Sequence, residues 1–268
     1  MRRLAAAGVG LALLISGGRA GASPAELRWS AAVDVPVTLA AGLAWVVTEV
    51  LKPELAPRGC RWCAVDGVDL GVREALVWRD RSAADTASNV TAFVLAPAVA
   101  AGGDALIAGH DGSLEKVPVD TLLIAEAAFV AADLNQLAKL LVGRERPFVH
   151  ALDADAKGRT THPSDNDLSF FSGHTTETFA LAAATGTVAT LRGYRWAPAS
   201  WVAGGALAAV TGYLRIAADK HWLTDVVVGM LVGAGVGVAV PLVFHGRVAG
   251  TEGGPGQASS QLSLSVAW

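Results

Sequence analysis

Six apolar stretches, at about 35–51, 90–108, 119–141, 178–191, 197–217 and 226–244, partition the chain, with polar or capping residues between them. Ala dominates these stretches, Leu is frequent and period-two alternation is absent, so helices are expected and strands are not. The expected fold class is all-α: a helical bundle of about six apolar helices, membrane-embedded or membrane-associated. A mean hydropathy of +0.43 with 17% charged residues points the same way. The last two stretches are long and almost free of charge, which makes them the better candidates for membrane spans. Asp104, Glu126 and Asp133 interrupt the second and third. Acids in a span are costly unless paired, so they either face the bundle interior or mark a soluble helix. Gly229, Gly233 and Gly237 recur every fourth residue, as do Gly204, Ala208 and Gly212. Such stripes permit close helix approach, unless they merely reflect an Ala- and Gly-rich composition.

At 268 residues the chain suits one large core, with no second domain. Arg2 and Arg3, an apolar core from Leu4 to Ile15 and Ala20-Gly21-Ala22 read as an export signal over 1–22, with an uncleaved anchor as the rival. A helical domain is expected over 23–245. The Gly- and Ser-rich tail over 246–268 is expected to be flexible, ending in an alternating segment at 261–268. In an exported chain the two cysteines, Cys60 and Cys63, are a disulfide candidate. A net charge of −3, with no basic run interleaved with aromatics, gives no case for nucleic acid. The acidic loop 153–167 lacks the Gly and closing Glu of a calcium loop and reads as a solvated connector.

Three short motifs carry chemistry. Lys139 precedes Arg146-Pro147 by seven residues, so a helix would bring the two cations to one face and end near Pro147. Arg offers a fork that matches phosphate oxygens, and Lys a compact charge. Ser172-Gly173-His174 precedes an apolar run and reads as a helix start, where free N–H groups favour an anion. Arg215 lies six residues before His221, and Asp225 four after it. On one helical face that carboxylate would hold one imidazole nitrogen protonated and leave the other as nucleophile. Asp219 and Lys220 read as loop charges.

Together these motifs resemble the type 2 phosphatidic acid phosphatase and vanadium haloperoxidase superfamily, whose signatures are K-x6-R-P, P-S-G-H and S-R-x5-H-x3-D. The chain departs at Phe171, where the family has Pro, and at Leu214, where it has Ser. The resemblance implies catalytic roles for His221 as nucleophile, Asp225 as its orienting group and His174 as general acid. It implies phosphate binding by Lys139, Arg146, Ser172, Gly173 and Arg215, with no metal or other cofactor. The expected partners are a phosphorylated lipid or small phosphate ester and membrane lipids. The alternatives are a vanadium-dependent haloperoxidase holding vanadate, a broad-specificity soluble periplasmic acid phosphatase and a non-enzymatic lipid-binding scaffold. The expected location is the cell envelope, at the inner membrane, or soluble or peripheral in the periplasm. If an export signal is followed by six spans, the motif loops face the cytoplasm, and the basic residues of the first loop agree with that side.

Overall fold

The computed structural model describes residues 24–248. The expected export signal, and the tail from 249 onward with its alternating segment, lie outside the described residues. Among the described residues the fold is all-α. In chain order the helices are α1 (Ala31–Val50), α2 (Lys52–Leu55), α3 (Gly67–Leu76), α4 (Arg81–Val90), α5 (Ala96–His110), α6 (Val117–Val142), α7 (Pro147–His150), α8 (Ala154–Lys157), α9 (Gly173–Arg192), α10 (Ala197–Ala217) and α11 (Leu223–Phe244). A π-helical turn, Thr91–Leu95, joins α4 to α5 in one continuous rod. Each apolar stretch of the sequence falls in one of the long helices.

Helix α9 is the hub. It packs against α11, α10, α6 and α5, and is buried on nearly every side. The Gly229–Gly233–Gly237 stripe of α11 makes the closest of these contacts. A Cβ on Gly229 would lie 2.8 Å from the Ser172 carbonyl oxygen, and one on Gly237 2.5 Å from that of Ala180. One on Gly233 would overlap the Thr176 carbonyl oxygen. Gly204 of α10 meets Ala182 in the same way. These stripes are packing surfaces, and composition alone does not account for them.

Three rods among the described residues are long and apolar enough to cross a membrane: α1, the α4–α5 rod and α11. The sequence favoured the last two stretches, yet α10 is not among the three. Gly, Pro, Ser, Thr and Tyr dilute the apolar residues of α10. The outer faces of the three rods carry exposed large apolar side chains, including Leu39, Leu43 and Val50 on α1, Leu106 on α5 and Leu231 and Phe244 on α11. A soluble monomer rarely exposes so continuous an apolar surface. Asp104 and Glu126 turn inward and are buried, while Asp133 is half-buried.

The flexible tail was expected to begin at 246, but 246–248 are pinned. Leu27 bridges Arg247, Arg28 N–H donates to Gly246 O at 3.1 Å, and Val248 N–H to Glu26 O at 2.9 Å. Cys60 and Cys63 form a disulfide, with Cα atoms 5.6 Å apart.

Gly235, on the same helix, has open space at its Cβ position. We expect Gly233→Ala to destabilise the protein by about 1–3 kcal/mol. Gly235→Ala should be neutral or stabilising by up to about 1 kcal/mol. Thermal unfolding in detergent measures both, and equal effects would mean that the stripe is not a packing surface.

Candidate active site

All three motifs converge at one end of the bundle. The C-terminus of α6 brings Lys139, the N-terminus of α9 brings Ser172 to His174, the last turn of α10 brings Arg215, and the loop before α11 brings His221. Helix α9 begins where the Ser172-Gly173 turn predicts, with Ser172 at its N-cap. Helix α6, however, stops at Val142, with Gly143 left-handed at φ 60°. Arg146 is therefore extended and off the helix (φ −76°, ψ 151°), so it does not reach the site by sharing a helical face with Lys139.

The three cations are buried with donors to spare. Lys139 Nζ makes no hydrogen bond or ion pair among the described residues and lies against Gly173, where a Cβ would be 3.0 Å from it. Arg146 has only a long contact to Asp165, at 3.8 Å, and its Nε has no partner. Arg215 Nη1 donates to Asp85 at 2.6 Å and to Ser88 Oγ at 2.8 Å, while its Nε has none. Buried cationic donors without acceptors are costly, and an anion at their meeting point relieves the cost. Gly173 is required here, because a side chain would also come within 2.9 Å of Asn135 Oδ1. Asn135 in turn donates to the Phe171 carbonyl at 2.7 Å and holds the turn in place.

The histidine arrangement differs from the sequence expectation. His221 precedes α11, and Trp222 after it is extended, so the four-residue spacing to Asp225 is not a helical one. The His221 Nδ1 proton goes to the Ser169 carbonyl oxygen at 2.8 Å, whereas Asp225 Oδ2 is 3.6 Å away. Asp225 instead accepts from Trp222 N–H at 2.9 Å and Ser169 Oγ at 2.5 Å. It thus fixes both neighbours of the imidazole. Burial, reinforced by the Arg146, Arg215 and Lys139 charges, holds the His221 pKa well below the usual histidine range. The ring is neutral, with Nε2 unprotonated. His174 Nε2 lies 2.7 Å from Asn89 Oδ1, an acceptor that orients a protonated Nε2, and its ring meets Phe93 edge-on at 4.8 Å. Phe93 sits in the π-helical turn.

Several site residues escaped the sequence reading. Arg144, inside the first motif, bridges Asp69 at 2.6 Å and Asp225 at 2.5 Å and donates to Thr224 Oγ1 at 2.7 Å. Its guanidinium lies 4.1 Å from the Trp62 ring centroid. No spacing rule separates it from the other charges around it. Asp85, Ser88 and Asn89 come from α4, a polar helix outside the motifs. The loop at 153–167 is not merely a solvated connector, because Asp165 reaches Lys52 at 3.5 Å as well as Arg146. Burial works against ionisation of Asp165, but Arg146, Lys52 and Lys139 hold its pKa below the usual carboxylate range. Asp219, expected to be a free loop charge, is buried and bidentate with Arg73 at 2.6 and 2.8 Å.

The PAP2 superfamily model matches residues 120–249, which hold all three motifs. Among solved structures the chain is similar to a transmembrane PAP2-type phosphatidylglycerolphosphate phosphatase from Bacillus subtilis. The TM-score is 0.47 at 17% identity, covering 75% of this chain and 93% of that one. No curated protein matches the chain. The matched residues exclude α1 to α5, so Asp85, Ser88 and Asn89 reach the site from outside the match.

We expect Arg144→Met to destabilise the fold by about 3–5 kcal/mol, since it strands two buried carboxylates. Thermal unfolding checks this. A loss below about 1 kcal/mol would mean that Asp69 and Asp225 find other partners.

Proposed function

We propose that the protein is a phosphatase that hydrolyses a phosphate monoester or pyrophosphate, of a lipid, through a phosphohistidine. The observation that carries this reading is the convergence of Lys139, Arg146 and Arg215, with unspent donors, on a turn flanked by a neutral His221 and by His174. The phosphate would sit among the three cations and the free N–H groups at the start of α9, which neutralise its equatorial oxygens. His221 Nε2 would attack phosphorus while the P–O bond to the leaving group breaks, and His174, as the imidazolium that a bound phosphate favours, would give that oxygen its Nδ1 proton while Nε2–H stays on Asn89. A water, deprotonated by His174, would then cleave the P–N bond and release phosphate. Asp225 would act through Ser169 and the Trp222 backbone, as a positioning residue.

Two observations support a lipid substrate. The site lies at the end of a bundle whose outer face is apolar. An apolar cavity of about 180 Å3 also runs between α5, α9 and α10, lined by Ala96, Val99, Leu106, Leu181 and Leu207. It reaches Thr178, one helical turn from His174, and would take the substrate's hydrocarbon chain. The reading places the protein in the inner membrane of the cell envelope.

We expect His221→Ala to abolish phosphate release and acid-labile labelling of the protein by a 32P-phosphate ester. His174→Ala should retain labelling and slow it most with poor leaving groups. Turnover that survives His221→Ala would refute the nucleophile. Comparing phosphatidic acid, an isoprenyl pyrophosphate and an aryl phosphate tests the lipid. Activity confined to the aryl ester would favour a broad phosphatase, and halide oxidation on vanadate loading a haloperoxidase.

The pH dependence follows from the depressed His221 pKa. The neutral nucleophile is lost only as pH falls through that value, so the acid limb of kcat/KM should lie below pH 6.5. Arg146→Met removes one of the depressing charges and should move the limb upward. An unmoved limb would show that another group titrates there.

A further inference from the structure

Far from the phosphate site, three buried polar side chains meet where the start of α1, the middle of α6 and the residue after α11 converge. They are Asp34, Glu126 and His245, and one ligand-capable atom from each lies within 4.8 Å of the other two. His245 Nδ1 is 3.1 Å from the Arg28 carbonyl oxygen, so that nitrogen carries the proton. The Nε2 lone pair then faces Glu126 Oε1 at 3.4 Å. The other Glu126 oxygen, Oε2, is buried and has no hydrogen-bond partner among the described residues. One Asp34 oxygen accepts from Ser30 N–H at 2.6 Å. No Lys or Arg among the described residues forms an ion pair with either acid.

Two carboxylates and an imidazole lone pair turned on one another inside an apolar bundle repel strongly. A proton shared between Glu126 and His245 does not resolve this. The 3.4 Å separation is long for such a bond, and the buried Glu126 Oε2 would still have no partner. A divalent cation about 2.0–2.2 Å from each donor resolves all three contacts at once. Holding the far imidazole nitrogen on a backbone carbonyl is also how proteins present a histidine to a metal. We propose that Asp34, Glu126 and His245 bind one first-row divalent ion, with zinc or manganese best suited to one imidazole and two carboxylates. The ion would clip α1 to α6 and α11. Glu126 and Lys139 are thirteen residues apart on α6, about 20 Å, so the ion takes no part in phosphate chemistry.

The test uses full-length protein in detergent, stripped with chelator and then given Zn2+, Mn2+ or, as control, Mg2+. After desalting, metal analysis should find one equivalent of Zn2+ or Mn2+ per chain, and Tm should rise by roughly 5–10 °C. Glu126→Gln, which keeps shape and relieves charge, should fold, lose the metal and lose the Tm response, while releasing phosphate from an aryl ester at the wild-type rate. His245→Ala should lose the metal as well. The proposal fails if wild type retains no metal and shows no Tm shift. It also fails if the Glu126→Gln/His245→Ala double variant takes up metal as wild type does.

Discussion

Arg144 is the constraint on which the rest of the site depends. Its guanidinium is buried between Asp69 of α3 and Asp225 of α11, with an indole ring over its face. Asp69 also accepts from the Thr224 backbone N–H at 2.9 Å, and so caps the start of α11. Asp225 passes the constraint on to Ser169 and Trp222, the two segments that bracket His221. A buried ion pair is a poor source of stability but an effective way to select one geometry, because any other leaves charge unpaired. Here that geometry aims one imidazole.

The bundle supplies the other half of the positioning. Because α11 lies on α9 with backbone nearly touching backbone, the starts of these two helices keep a fixed offset, and His174 and His221 ride on those starts. The continuous α4–α5 rod adds a third wall. Its π-helical turn presents Phe93 to His174 just after Asn89 has bonded the same ring, a use of the wide turn common at functional sites. The charged end of the molecule is therefore held by apolar helix packing as well as by its buried ion pairs.

Much of this was legible in the sequence. The Ala- and Leu-rich runs became helices because nothing in them favours a strand, and the Ser172-Gly173-His174 motif marked the N-terminus of α9. Asp225 was legible as a residue but not in its geometry, since four-residue spacing implies a shared face only when both residues are helical, and His221 is not. Arg146 escaped the same logic when Gly143 ended α6 early. Arg144, Asp85 and Asn89 were invisible because their partners lie between 75 and 130 residues away, a separation that no local pattern encodes. Helix α10, credible as a span by its length and near absence of charge, falls outside the three most apolar rods because Gly, Pro, Ser, Thr and Tyr dilute its apolar residues.

The location of the phosphate pocket at the bundle's end has a consequence for traffic. For a lipid ester, the two products of cleavage belong to different phases. Inorganic phosphate would leave towards water from the charged end. The dephosphorylated tail would stay among the apolar helices, beside the cavity between α5, α9 and α10. Under the proposed lipid reading, a charged phosphate would not follow the tail into apolar surroundings, so the two products would part and the reverse reaction would lose a reactant at each turnover.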